Sequence, residues 1–250
     1  MRLWDLRGGS QRMTGRYDLV AAPHFGTCPA SVAWTSSGNI VVAERNDCVH
    51  IYDARKPSLG KKNALKSFDL KPNLVEGCQV SPNNEYLVAS TTVRGEGMGE
   101  LRIWGCDDET ADDAVTYAGH TGPIYQFCFS PDGTRLATGG SDAIVGLWDV
   151  DEMVCTHTIT RKTKFLRSVS FSPDSQFVAS STEEDGIDIA SSEDGEWVGT
   201  IRFGPRGGGG ADEVCFHPKR SNLLACARGN AEFQTANEPP VTVAKWTMVQ

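Results

Sequence analysis

The chain has 250 residues, and 24 Lys and Arg against 32 Asp and Glu leave a formal charge of −8 at pH 7. With 39% apolar and 22% charged residues, its composition excludes a disordered or collagen-like chain. This net negative charge disfavours a protein whose main function is to bind nucleic-acid phosphates. No run approaches the ~18 consecutive apolar residues of a membrane span, and the start lacks an apolar signal stretch, so we expect an intracellular protein.

A short apolar stretch followed by a polar turn recurs along the chain. The copies lie 46, 49, 42 and 45 residues apart and are centred on Trp34, Val80, Phe129, Phe171 and Phe216. A period of ~40 to 45 residues is typical of WD-type β-propeller repeats, in which each repeat forms a four-stranded blade. No stretch has a long 3.6-residue periodicity, so the sequence predicts an all-β fold.

The repeats divide the chain into a single propeller domain, residues 1–250, with about five blades and a partial one. We expect a partial blade at 1–22 and blades at approximately 23–70, 71–117, 118–162, 163–203 and 211–250. In the best-preserved copy the predicted strands are 124–130, 135–139, 144–149 and 154–160.

Neither the first nor the last predicted blade has all four strands. The first predicted strand, 2–6, is a third strand, and the last blade supplies only 212–217, 223–227 and 241–246. Two arrangements are open. One is an open arc with exposed strand edges, and the other is a tightened five-bladed ring in which 17–22 pairs outside 241–246. The rotation between neighbouring blades favours the arc, because a five-bladed ring would need a different rotation.

Four residues of the 118–162 copy match the buried tetrad of such repeats. His120 precedes the inner strand, Thr138 lies on the second strand, Asp142 in the next turn and Trp148 on the third strand. We predict a hydrogen-bonded chain from the indole through the hydroxyl and the imidazole to the carboxylate. The expected role is structural. No catalytic residue is assigned, because the spacing fits the blade and a Gly-x-Ser-x-Gly elbow is absent from the sequence.

The other copies have lost parts of this tetrad. At the position of Trp148 we align Tyr52, Trp104, Ile189 and Trp246. At the position of the turn aspartate, six residues earlier, we align Asn46, Met98, Glu183 and Pro240. The sequence therefore predicts one blade with a complete network.

The cysteines and histidines do not predict a metal site, and no cofactor is expected. The eight cysteines include no Cys-x-x-Cys pair, which favours buried free thiols in a reducing compartment. One face of the propeller could bring together His24, Cys28, Cys48 and His50, but their spacing is unlike that of zinc modules. We assign no metal ligand.

Three runs resemble a particular family of WD-repeat proteins. They are the segment 141–155, the segment 184–190, where a Trp-Asp pair would normally stand, and the segment 216–225. Together they are similar to subunit 3 of the THO complex, most closely from about Gly119 to Ala227. The resemblance implies a seven-bladed, nuclear, non-enzymatic propeller that supports the coupling of transcription to mRNA packaging and export in the THO/TREX assembly. Relative to that family, the chain lacks the first blade and two strands of the next.

This resemblance implies the other THO/TREX subunits as partners, with RNA reached through the complex, and neither a membrane nor a small-molecule substrate. The alternative is a substrate receptor of a cullin-type ubiquitin ligase. It is motivated by Trp4-Asp5-Leu6-Arg7 and Tyr52-Asp53-Ala54-Arg55, which resemble the Trp-Asp-x-Arg box that docks such receptors on their adaptor. The residues that bind partners are not predicted.

Overall fold

The structure is a computed structural model that describes residues 3–5, 18–21, 29–45, 48–55, 64–106, 114–184, 186–202, 210–227 and 241–246. These residues form antiparallel sheets, which confirms the predicted all-β class. Among them, no helix is long and apolar enough to cross a membrane.

The strands follow one another as blades, each running from an inner to an outer strand. A pair precedes the blades: β1 (Leu3–Asp5) and β2 (Asp18–Ala21). Blade A contains β3 (Pro29–Trp34), β4 (Asn39–Glu44), β5 (Cys48–Asp53) and β6 (Lys66–Asp69). Blade B contains β7 (Leu74–Val80), β8 (Tyr86–Thr92), β9 (Gly99–Gly105) and β10 (Val115–His120).

The remaining blades repeat this order. Blade C contains β11 (Ile124–Phe129), β12 (Arg135–Gly140), β13 (Val145–Asp149) and β14 (Val154–Ile159). Blade D contains β15 (Leu166–Phe171), β16 (Phe177–Thr182), β17 (Ile187–Ser191) and β18 (Trp197–Ile201). Blade E contains β19 (Glu213–His217), β20 (Arg220–Ala227) and β21 (Val241–Lys245). The four strands predicted for blade C agree with the observed ones to within one residue.

The hydrophobic core lies between blades rather than within one of them. Side chains from two neighbouring blades form each main cluster, at the A/B, B/C, C/D and D/E boundaries. At the first boundary the ring of Trp104 packs 4.6 Å from that of Phe68, centroid to centroid. Because both faces of an internal blade are covered, the second strands are almost continuously buried and do not alternate with polar residues.

A β-bulge occurs at the same place in four inner strands. The register shifts between Pro29 and Ser31, Val75 and Gly77, Ile124 and Gln126, and Leu166 and Ser168. The bulged residues are therefore Ala30, Glu76, Tyr125 and Arg167. A bulge leaves its extra residue outside the ladder and re-aims its side chain, so these four residues are set apart from the blade packing.

The strand pairing at the two ends does not close a ring through β2. The strand β2 pairs with β1, while β21 has β20 as its strand partner among the described residues. The pairing of 17–22 outside 241–246 is thus not the arrangement observed. Apolar side chains are exposed in both the first and the last blade, with Trp34 in blade A 55% exposed and Val243 in blade E 65% exposed.

Candidate functional site: a polar network and the channel entrance

The structure brings the four predicted tetrad residues of blade C into hydrogen-bonding contact. Trp148 Nε1 donates to Thr138 Oγ1 at 2.9 Å, and Thr138 Oγ1 lies 2.8 Å from His120 Nε2. The other imidazole nitrogen, Nδ1, lies 2.9 and 3.0 Å from the two oxygens of Asp142. Because the carboxylate can only accept, Nδ1 carries the proton, and in a neutral imidazole Nε2 accepts from the threonine hydroxyl.

The side chains of this network are too buried for a substrate to reach them. Thr138 is 0% exposed and His120 5% exposed, so the hydroxyl that would act as nucleophile is closed off from solvent and already bonded on both sides. Asp142 also accepts from the backbone amides of Thr121 and Ile144, at 3.1 and 3.3 Å. The hydroxyl, the imidazole and the carboxylate therefore attach the turn that contains Asp142 to the strands of blade C, which is a structural role.

Gly146 makes space for the tetrad. A Cβ on this residue would lie 2.7 Å from Thr138 Oγ1 and 2.9 Å from Trp148 Nε1, closer than such atoms can approach. Strand pairing places His50 of blade A, Arg102 of blade B and Asp188 of blade D at the equivalent position. These three blades therefore carry a side chain where the tetrad of blade C needs a glycine.

The register corrects two positions of the sequence alignment. In blade C, Leu136 pairs with Trp148, and in blade D the equivalent Val178 pairs with Ala190, so Ile189 is wrong by one residue. The turn carboxylate six residues earlier is accordingly Glu184 and not Glu183. Glu183 instead accepts a hydrogen bond from the guanidinium of Arg167.

The last blade needs a similar correction. Leu224 pairs with Ala244, which takes the place of Trp148, whereas Trp246 lies two residues further on. Its Nε1 donates to the Ser221 carbonyl at 2.9 Å, and its ring meets Phe177 edge to face at 5.1 Å. The aligned residues Asn46 and Pro240 lie outside the described residues.

Blade D replaces the tetrad by charged groups. Lys162 precedes its inner strand by the same four residues as His120 does in blade C, and its Nζ lies 3.5 Å from Asp188 Oδ2, both side chains being 8% exposed. Thr200 Oγ1 donates to Asp188 Oδ1 at 2.5 Å. The hydrogen bond from Thr163 holds the pKa of Glu184 below its usual range. Blade D therefore has an ion pair, Lys162 with Asp188, at the positions that His120 and Gly146 hold in blade C.

Blade B keeps the tryptophan but has lost its acceptor. Trp104 pairs with Leu87 as Trp148 does with Leu136, yet the residue at the threonine position is Ala89. Trp104 Nε1 is buried without a hydrogen-bond partner. In blade C the equivalent indole N–H donates to Thr138, and Ala89 cannot provide such an acceptor for Trp104 in blade B.

The residues considered for a metal do not form a described site. His50 Nδ1 lies 2.7 Å from Ser67 Oγ, and its Nε2 lies 3.5 Å from Glu44 Oε1, inside blade A. His24 and Cys28 lie outside the described residues. Within the described part of the chain, no three His, Cys, Asp or Glu residues are grouped as metal ligands would be. Cys78, Cys128, Cys155 and Cys215 are free thiols in the structure.

Side chains of the inner strands link each blade to the next around the central channel. Their hydrogen bonds to the neighbouring backbone have lengths of 3.2, 2.8, 2.9 and 3.1 Å and join Ser31 to Cys78, Gln79 to Phe127, Gln126 to Val169, and Ser168 to Val214. These links run across every boundary from blade A to blade E. They fix the inner strands relative to one another, and the channel entrance is therefore a preformed surface.

The bulged residues meet at the entrance of this channel. Ala30, Glu76, Tyr125 and Arg167 all line a cavity of about 230 Å³, together with Glu213 at the start of β19. This cavity was not predicted from the sequence, because a bulge does not interrupt the apolar pattern of a strand. The signal that would find it is a polar or aromatic residue directly after an apolar residue near the start of the inner strand, which blades B, C and D have in Glu76, Tyr125 and Arg167.

The charges at the entrance are unevenly compensated. Arg167 is engaged by Glu183, and Arg45 Nη2 lies 3.6 Å from Glu76 Oε2. Glu213 Oε1 accepts from Gln126 Nε2 at 3.1 Å and from Ser168 Oγ at 3.3 Å, which are neutral donors. The entrance consequently carries an excess of carboxylate.

The repeats match a known family model, described as WD domain, G-beta repeat, at residues 113–149 and 153–196. The first match covers β10 to β13 and the second β14 to β17. Each matched unit therefore combines the outer strand of one blade with three strands of the next, and successive units interlock neighbouring blades.

Three relatives illustrate the range of similarity. The chain is 27% identical over 202 residues to THO complex subunit 3 of Arabidopsis thaliana, covering 80% of this chain and 58% of that protein. It is 41% identical over 176 residues to WD repeat-containing protein AAC3 of Dictyostelium discoideum, covering 66% and 34%. It is 28% identical over 148 residues to the human serine-threonine kinase receptor-associated protein, covering 59% and 36%. The chain spans between 34% and 58% of the length of these relatives.

The fold has a solved counterpart. A chain in the crystal structure of a mitotic checkpoint complex superposes with a TM-score of 0.74 at 20% identity, covering 94% of this chain and 66% of that chain. At this identity the likeness concerns the fold alone. With the blades, the tetrad geometry and the two matched WD repeats, it shows that this chain has a WD-type β-propeller fold.

Proposed function

We propose that this chain is a non-enzymatic scaffold subunit of a nuclear THO/TREX-type complex, supporting the coupling of transcription to mRNA packaging and export. The observation that carries the proposal is the similarity to THO complex subunit 3, which extends over 80% of the chain, against 66% and 59% for the two other relatives described above. The distinctive segments 184–190 and 216–225 lie in the part of the chain with the closest resemblance.

The structure of the chain supports a scaffold in two ways. Its best-formed polar network is buried and bonded throughout, so it serves the fold and leaves binding to the surface. The inner strands are tied together across four boundaries, which gives a rigid surface suited to holding partners. The partners proposed are the other THO/TREX subunits, with RNA reached through them.

The experiment is affinity purification of the tagged protein from nuclear extract, with and without nuclease, followed by mass spectrometry. We expect the large THO subunits in both samples, because the association is between proteins. Recovery of a cullin adaptor without any THO subunit would contradict the proposal. It would support the alternative, although Arg55 of the Tyr52–Arg55 motif is itself paired with Asp53 at 2.9 Å.

A second measurement concerns RNA. With a formal charge of −8, the isolated protein should bind RNA weakly and lose that binding steeply as salt rises. Fluorescence anisotropy with a labelled single-stranded RNA at low and near-physiological salt would measure this. Tight binding at near-physiological salt would contradict the indirect route to RNA.

A further inference from the structure

We propose that a cavity between blades A and B binds one large apolar side chain, Trp, Phe, Met or Leu, of a partner protein. The cavity has a volume of about 450 Å³, and it shares no described lining residue with the channel entrance. The proposal concerns the chemistry of this surface and does not depend on which assembly the protein joins.

The cavity has an apolar floor and a partly polar rim. The floor contains the ring pair of Phe68 and Trp104 together with Leu87, and these side chains are 2 to 6% exposed. Leu65 also lines the cavity and is 51% exposed, so the recess is reached from the surface. The polar lining residues are Thr35, Ser37, Asn39 and Asn84. A recess with apolar walls and a polar rim is typical of the places where one side chain anchors a protein partner.

The other blade boundaries fill the equivalent space with a pair of side chains of the chain itself. One member is the first residue of the second strand in the earlier blade. The other lies two residues after the position of Trp148 in the later blade. The pairs are Tyr86 with Val150 at B/C, Arg135 with Ser192 at C/D, and Phe177 with Trp246 at D/E.

The A/B boundary has neither an aromatic ring nor an arginine at these two positions. The residues there are Asn39 and Cys106, and both line the cavity. At the D/E boundary the rings of Phe177 and Trp246 meet edge to face with centroids 5.1 Å apart. The cavity is therefore a place that aromatic side chains occupy elsewhere in the same fold, and it suits an aromatic or large aliphatic side chain from outside.

The sequence that follows Cys106 does not supply such a side chain. Residues 107–113 lie outside the described residues, and their composition is five Asp or Glu, one Thr and one Ala. In blade C the turn after the third strand contributes Met153 to the core at the B/C boundary. Blade B has no counterpart of this methionine in 107–113, so a partner protein is the source of the inserted side chain.

Charge determines which residues suit the partner segment. Among the described residues that line the cavity, only Lys66 is charged, so an inserted Lys or Arg would be repelled and an uncharged side chain is favoured. The five acidic residues that follow Cys106 in the sequence favour Lys or Arg beside the inserted residue. The partner segment is therefore one large apolar residue with basic neighbours.

The experiment begins with a displayed library of random peptides of about twelve residues, selected on the immobilised full chain. We expect the enriched peptides to share one large apolar residue with Lys or Arg next to it. A fluorescent copy of the best peptide then gives dissociation constants by anisotropy. Replacing its apolar residue by alanine should weaken binding at least about tenfold, a loss of about 1.4 kcal/mol.

Two variants that fill the cavity locate the site. Cys106→Trp copies the residue of blade E, and Asn39→Tyr copies that of blade B. Each should weaken peptide binding at least about tenfold, because the new ring occupies the space that the peptide side chain needs. Leu65→Ser removes an exposed apolar side chain at the rim and should also weaken binding. Val154→Ser is its matched control, because Val154 is 52% exposed but does not line the cavity, and it should alter binding less than about twofold.

Thermal unfolding of the variants tests whether the cavity is open. Filling an open cavity should leave the melting temperature unchanged or raise it. A lower melting temperature for both filling variants would show that the chain already occupies this space, and it would overturn the proposal.

Other results would also overturn the proposal. They are the absence of any enriched peptide, equal affinity of the best peptide for the wild-type protein and the filling variants, or equal losses for Leu65→Ser and Val154→Ser. If a filling variant fails to fold, the alanine-substituted peptide still decides. Unchanged affinity of that peptide for the wild-type protein would refute an apolar anchor.

Discussion

Replacing Asp142 by alanine tests whether the polar network of blade C stabilises the fold. The carboxylate receives hydrogen bonds from His120 Nδ1 and from the amides of Thr121 and Ile144. The substitution leaves the imidazole, whose side chain is 1% exposed, without a partner for its N–H. Thr121 is exposed, so its amide can bond to water instead.

The magnitude follows from these contacts. An unsatisfied buried donor costs about 1 to 3 kcal/mol, and each lost hydrogen bond contributes about 0.5 to 1.5 kcal/mol. Counting the imidazole fully and the amides in part, Asp142→Ala should destabilise the protein by about 2 to 4 kcal/mol. For a chain of this size that lowers the melting temperature by about 4 to 16 °C.

A matched variant in blade D provides the control. Glu184 holds the position of Asp142, but its carboxylate accepts from Thr163, an exposed residue that water can satisfy. Glu184→Ala should therefore cost only about 0.5 to 1.5 kcal/mol. The assay is thermal unfolding followed by tryptophan fluorescence. Equal shifts for the two variants, or a shift of less than about 2 °C for Asp142→Ala, would refute the reasoning.

Two further predictions use other pairs of sites. Trp148→Phe should cost about 1 to 3 kcal/mol more than Trp104→Phe in urea unfolding, because the two rings are 4% and 3% exposed but only the first makes its N–H hydrogen bond. Equal costs would contradict this. Burial raises the pKa of Cys78 to about 11, so iodoacetamide near pH 8 should label exposed Cys215 and spare Cys78 in the native protein. Mass spectrometry reads each site, and equal labelling rates would count against the burial of Cys78.

The fold and the tetrad were predictable because their signals are local. The turn that follows Phe129 and Phe171 recurs at a fixed spacing. The known strand order of a blade then places Thr138 and Trp148 on adjacent strands and His120 before the inner strand. Each of these residue types needs a buried partner, so the set is informative as a group.

The alignment of blade D was not predictable in the same way. Ile187 and Ile189 offer an apolar pattern that suits the tryptophan position, but a shift of one residue moves a side chain to the other face of the sheet. Only the pairing of Val178 with Ala190 decides the face. The ion pair of Lys162 and Asp188 was not predicted for the same reason, because the face on which Asp188 lies depends on the same register.

The channel entrance could not be predicted because it is assembled from four distant bulges. Glu76 and Tyr125 are separated by 49 residues and belong to different blades, and neither stands in a motif. Their proximity is a property of how the blades are arranged around the channel. The sequence predicted the arrangement of blades and not the register shifts that turn these residues towards the entrance.

The central claim, membership of a THO-type assembly, is tested most directly by sedimentation of the tagged protein in nuclease-treated nuclear extract. We predict that the protein sediments in a species much larger than its own 27.1 kDa, in the same fractions as the large THO subunits. Sedimentation near the size of the free chain, or in a large species without those subunits, would contradict the claim.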